Sequence, residues 1–189
     1  MDKNSLLSIA NFFCQFFKIL IGIAIIIITV VLIHIQFDKG FYNEWKFKEP
    51  ENDSVIRIQT EFVHGENPQG EQQNHLSEWK TMSLYFNYFK FTAVLIFLYL
   101  SINQFRKVLK SVRKLKTFHQ TNVRAFKKIG NYGLLIGGLS VFNYWEFGNH
   151  AISSFSIPFN ILFIALIAFI LAEIFKEGNS LMEDNQLTI

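Results

Sequence analysis

Residues able to do chemistry fall into two clusters in this chain. His64, Glu66, Glu71 and His75 are metal-ligand types gathered in one polar stretch, residues 64–75. Zinc and calcium sites demand particular ligand intervals because the ion imposes a coordination geometry, and this spacing matches none of them. With Gly65, Pro68 and Gly70 breaking the chain, the stretch reads as a solvated turn region. His34, His119 and His150 are scattered, and the sequence holds no nucleophile elbow, phosphate loop, HExxH or paired-carboxylate arrangement. The expectation is a protein that is not an enzyme and that holds no cofactor and no metal.

The second cluster is electrostatic. Residues 103–128 hold nine of the eighteen Lys and Arg residues and no Asp or Glu. Phe105, Val108, Leu109, Val112 and Leu115 recur at helical spacing, with Arg106, Lys107, Lys110, Arg113 and Lys114 between them, as in a basic amphipathic helix. Such a helix can lie along an anionic inner leaflet, where each Lys or Arg contributes about 1 kcal/mol. It can instead dock a cytosolic protein or touch nucleic acid. Lipid already explains the charge, so the leaflet comes first and a protein partner second. No recognition-helix module follows, so direct nucleic-acid binding is not expected.

Four apolar segments must position these residues, at about 16–37, 82–102, 129–145 and 157–175. The run at residues 19–35 carries no charge and at ~1.5 Å per residue spans nearly the whole ~30 Å hydrocarbon layer. Four such runs leave too little polar sequence to wrap them in water. The fold class expected is therefore an all-α membrane protein, a four-transmembrane-helix bundle in one integral membrane domain, residues 1–189, with a small strand-containing extracytoplasmic loop. Cytoplasmic loops are rich in Lys and Arg, which puts the basic loop 103–128, the tail 176–189 and both termini in the cytoplasm. The connection 38–80, with nine acidic and five basic residues, then lies outside. The first segment is too long for a cleavable signal and lacks a small-x-small site, so it is expected to stay as an anchor.

The outer connection has a pattern of its own. Ile56, Ile58, Thr60 and Phe62 alternate with Arg57, Gln59 and Glu61, the period of a half-buried strand, with Trp45 and Phe47 as its expected partner. A two-stranded hairpin is marginal alone, so it should lean on the bundle or on a second copy of the chain. Cys14 is the single cysteine, which excludes an intrachain disulfide and reads as a buried thiol. Lys90 is the one charge inside the second segment, close enough to its outer end for the ammonium to snorkel outward. Glu146 and Glu173 flank the third and fourth segments as interfacial groups. Gly133 and Gly137 form a G-x-x-x-G pair, a close-packing face for another span in the same chain or a homo-oligomer.

The end of the chain carries a family resemblance. Ala172, Glu173, Ile174, Phe175, Lys176 and Gly178, then Leu181, Glu183, Asp184, Asn185, Leu187, Thr188 and Ile189, resemble the ending of the bacterial membrane family DUF2975, a domain of unknown function. Phe118, Asn122 and the run 126–130 resemble that family's inner-loop elements, while Thr117 and Gln186 stand where it usually has Pro and an acidic residue. The resemblance implies a multi-pass protein of the bacterial inner membrane. Genes of the family commonly neighbour one for a small helix-turn-helix regulator, so it also implies a membrane partner that tethers or controls such a regulator. The docking surface would then comprise Arg106, Lys107, Lys110, Arg113, Lys114, Phe118 and Asn122 on the loop, with Glu183, Asp184, Asn185, Leu187, Thr188 and Ile189 on the tail. The competing expectation is a small transporter or immunity-type protein that works through its spans.

Overall fold

A computed structural model describes residues 3–45, 56–63, 75–115 and 117–187. Among the described residues, four α-helices and three strands follow in the order α1 (Lys3–Phe37), β1 (Ile56–Val63), α2 (Thr81–Arg113), α3 (Gln120–Val141), β2 (Phe142–Phe147), β3 (His150–Ile157) and α4 (Phe159–Leu187). Among the described residues, three helices are long and apolar enough to cross a membrane: α1 over Ser5–Phe37, all of α2, and α4 over Phe159–Asp184. Pro158 separates β3 from α4, because it donates no ladder hydrogen bond and is preset for a helix start.

The third apolar segment departs from expectation. Helix α3 stops at Val141, and residues 142–145, expected to finish a span, are strand. Aromatic and β-branched residues favour a pleated surface, and a neighbouring strand supplies their hydrogen bonds. The helical part of the expected span, residues 129–141, reaches only ~20 Å at 1.5 Å per residue. Among the described residues β1 pairs antiparallel with β3, from Ile56 opposite Ile157 to Val63 opposite His150, a partner the sequence did not suggest. Trp45 lies outside any strand, just past the turn at 43–44, and the other expected partner, Phe47, lies outside the described residues, as do His64, Glu66 and Glu71.

Contacts divide the chain into two compact units. The strand-bearing unit, Ile23–Val94 with Gly138–Phe159, holds the sheet in the order β1-β3-β2. Hairpin β2–β3 turns through Gly148 and Asn149, and Gly148 has φ +47°, the left-handed backbone that tight hairpin loops require. One sheet face buries Trp145, Phe147 and Ile152 against Trp79, whose ring lies 5.3 Å from Trp145 and 5.7 Å from Phe147. Beside it Leu32, Ile35, Tyr42 and Leu84 form a second cluster. His34 Nδ1 and the Tyr42 hydroxyl are 3.1 Å apart at the end of α1.

The helical unit, Met1–Gly22, Leu95–Gly137 and Asn160–Ile189, is held by α3 lying close on α4. A Cβ added at Gly130 would meet the Phe169 ring at 2.7 Å, and one at Gly133 would meet Ala165 Cβ at 2.9 Å. Small residues here let the two backbones approach, the packing that lipid-facing helices rely on. Val108, Ala125, Phe126 and Ala172 form its core. Cys14 is buried on α1.

Candidate functional site

In the helical unit, α2 continues without a break to Arg113, so residues 105–113 are its last turns and not a separate helix on a surface. The reason is packing: Val108 is buried and Val112 packs beside it. The helix ends where Leu115 takes φ +60°, a left-handed conformation costly for a branched side chain, with Lys114 N–H and Leu115 N–H still bonded to the carbonyls of Ser111 and Val112. The chain then turns into α3. Between the end of α2 and the start of α3 lies an open depression of about 810 Å³. Lys107, Lys110, Arg113 and Lys114 line one wall, with Ser111 between them, and His119 and Thr121 line the other. His119 Nδ1 lies 3.0 Å from Thr121 Oγ1. No carboxylate among the described residues pairs with any of the four cations. Such a concavity concentrates positive potential where anions are attracted.

The other expected docking residues divide. Arg106 is turned away from the depression and held by α1, where its Nε donates to Asn11 Oδ1 at 2.8 Å and its Nη1 to Gln15. Asn122 is buried and donates to the Thr117 carbonyl at 2.6 Å, so it shapes the turn instead of facing a partner. Phe118 is half-buried against Phe175, ring to ring at 5.5 Å, and lies over Gly178. That contact seats the end of α4, which stays helical to Leu187 where a tail was expected. Glu183 accepts a bond from Asn179 at 2.7 Å, and Glu173 pairs with Lys176. Glu183 and Asp184 are exposed, Asn185 and Leu187 belong to the last turns, and Thr188 and Ile189 lie outside the described residues. Gly133 and Gly137 face α4 at Ala165 and Leu162.

The strand-bearing unit holds a second polar cluster. Ser83, Asn87 and Lys90, spaced i, i+4 and i+7, fall on one face of α2 and are buried. Strand β2 is an edge of the sheet, and its outward carbonyls come at alternate residues. Each is taken by this face. Lys90 Nζ donates to Phe142 O at 2.8 Å and to the Asn143 side chain, and Asn87 Nδ2 donates to Tyr144 O at 2.7 Å. Ser83 Oγ donates to Tyr144 O and accepts from Glu146 N–H, both at 3.1 Å, and Lys80 N–H closes on Glu146 O at 2.9 Å. Lys90 therefore does not snorkel: it is 7% exposed because its ammonium ends on strand acceptors. Outside the helices, Glu146 bonds Lys80 Nζ at 2.7 Å and the Tyr144 hydroxyl at 2.8 Å. The bond to Glu146, then burial, then the carboxylate charge push the Tyr144 phenol above its ordinary pKa.

Ser83 and Asn87 were not among the sequence-predicted residues. Their signal was present as polar positions at helical spacing inside an apolar segment. Comparison with known proteins adds one assignment: the family profile described as a protein of unknown function, DUF2975, matches residues 69–189, well over half of the chain. No curated protein matches the chain, and no solved structure does.

Proposed function

The chain belongs to the DUF2975 family, and from that premise we propose that it is a four-crossing protein of the bacterial inner membrane that holds a small cytosolic helix-turn-helix regulator. Support for the fourth crossing comes from the sheet. Helix α2 starts beside β2, where Lys80 bonds Glu146, and α3 runs directly into β2 at Phe142, so α2 and α3 form an excursion that leaves the sheet and returns to it. If apolar α2 crosses the bilayer, α3 must cross it back. Its 22 residues make ~33 Å, enough for a ~30 Å layer when Lys127 and Lys128 snorkel at one end. With an even number of crossings, both termini share a side with the basic loop, which the excess of Lys and Arg puts in the cytoplasm.

The observation that carries the partner reading is the end of α4. It stays helical and presents Leu181, 64% exposed, and Met182, 46% exposed, among Glu177, Glu183 and Asp184. An apolar anchor in a polar rim is the anatomy of a protein-binding surface. The choice of a helix-turn-helix regulator rests on the family resemblance. Deleting residues 181–189 tests it, since the membrane helices and the basic depression remain. The regulator should leave the membrane fraction and transcription of its targets should change. If neither happens while the truncated protein is inserted at normal levels, the transporter or immunity-type reading moves ahead. The topology is checked by Gln69→Cys and Asn185→Cys in a Cys14→Ser background: an impermeant thiol reagent applied to intact cells should label the first and spare the second.

A further inference from the structure

We propose that the depression between α2 and α3 is a site for one phosphate-bearing headgroup of an anionic phospholipid, bound by Lys107, Lys110, Arg113 and Lys114 with His119 and Thr121 opposite. Three observations converge on it. Lys107, Lys110 and Arg113 stand within two turns at the end of α2 and Lys114 in the turn that follows, and no carboxylate among the described residues neutralises any of them, so their mutual repulsion is relieved by an external anion. The facing wall is the start of the 22-residue α3, where His119 already takes the N–H groups of Thr121 and Asn122, so this wall adds the field of the helix end and not free donors. Leu115, at the rim in sequence, is 79% exposed and held at φ +60°.

That third observation selects the source of the phosphate. A free phosphate or nucleotide has no use for an exposed leucine beside its site. A lipid brings both a headgroup for the cations and an acyl boundary for Leu115, and the site terminates a helix apolar enough to enter that boundary. Lys and Arg supply point and forked donors, while His119, whose Nδ1 accepts from the Thr121 N–H and hydroxyl, keeps its Nε2–H for a remaining phosphate oxygen. The site rests on the basic loop facing the membrane surface and not on any regulator.

The test uses the full-length protein purified in a neutral detergent, so neither the partner reading nor the orientation in cells enters the outcome. Phosphatidylglycerol added in mixed micelles should raise the unfolding temperature saturably, and phosphatidylcholine should not. Lys110→Gln combined with Lys114→Gln should weaken the apparent affinity roughly 30-fold, since each cation near an anionic surface is worth about five-fold. The control removes the same charge elsewhere: Lys127→Gln with Lys128→Gln should change affinity less than about three-fold, being outside the depression. Equal losses in the two doubles would mean diffuse charge attraction and overturn the site. Inorganic phosphate that stabilises as well as the lipid at equal concentration would overturn the lipid assignment. Leu115→Ser removes the apolar contact and none of the charge; it should weaken phosphatidylglycerol binding while leaving any response to inorganic phosphate unchanged, and equal lipid binding would also overturn that assignment.

Discussion

In the strand-bearing unit Ser83, Asn87 and Lys90 are buried and each ends on the edge of β2, whereas in the helical unit Lys107, Lys110, Arg113 and Lys114 stand together with no carboxylate among the described residues paired to them. The first set is spent on the fold. A lone pair on a strand carbonyl is fixed in space, and a donor buried against it contributes through the cost of leaving that carbonyl bare. The second set keeps its capacity for something outside the chain. Cations of one type can thus be structural or available, and burial against a named acceptor separates the two roles better than charge does.

The comparison breaks most visibly at Lys90. Lys90→Met keeps the stem and removes the donor, leaving the Phe142 carbonyl and Asn143 side chain without it, so stability should fall by about 3 kcal/mol. Thermal unfolding in detergent measures this; an unchanged midpoint would mean that the ammonium is not structural. The glycine seam of the helical unit should respond next. At Gly133 an added Cβ meets Ala165, including its Cα at 3.4 Å, and backbone cannot yield, so Gly133→Leu should cost about 2 to 3 kcal/mol. At Gly137 the nearest atom is the end of the Leu162 side chain, at 3.1 Å, which can rotate, so Gly137→Ala should cost less than about 1 kcal/mol. Equal losses in the two variants would put the seam elsewhere.

The smallest expected effect is a pH dependence in the strand-bearing unit. Tyr144 titrates above its ordinary value of 10.0 because its proton bonds Glu146. A raised folded pKa contributes stability that is fully present below the unfolded value and is lost as pH rises through the folded one. Alkaline titration followed by phenolate absorbance should show one late-ionising tyrosine, returning toward the ordinary range in Glu146→Gln. An unchanged profile in that variant would remove Glu146 as the cause.

Helices α1 and α4, and α2 as far as residue 102, were legible because a long, nearly charge-free apolar run has few alternatives to a helix of bilayer length. Strand β1 was legible because alternation at Ile56, Ile58, Thr60 and Phe62 is a local signal. The β2–β3 hairpin was not, because Phe142, Tyr144 and Trp145 extend the apolar character of α3 and hide the change of period. The Gly148-Asn149 pair, two residues between aromatic and β-branched runs, was the available mark. Without β2 there was no acceptor for Lys90, so solvent was the only destination left for its charge. The basic depression was half legible: the sequence placed its cations on one helix, but the wall made by His119 and Thr121 depends on the left-handed turn at Leu115, which no propensity of leucine announces.

The pairing of β1 with β3 also sets an order in time. The ribosome finishes Val63 long before His150, with all of α2 and α3 still to be made, an interval on the order of ten seconds at ~5–20 residues per second. Until β2 is made the Ser83–Asn87–Lys90 face lacks the carbonyls it holds, and until β3 follows the Ile56–Val63 strand lacks the partner it has among the described residues. Chains that stall before residue 142 therefore carry an open strand and an unsatisfied helix face together, and should be degraded sooner than finished ones. Closure of the sheet thus requires that translation has passed both hairpin strands, so this small element forms only after three of the four helices have been made.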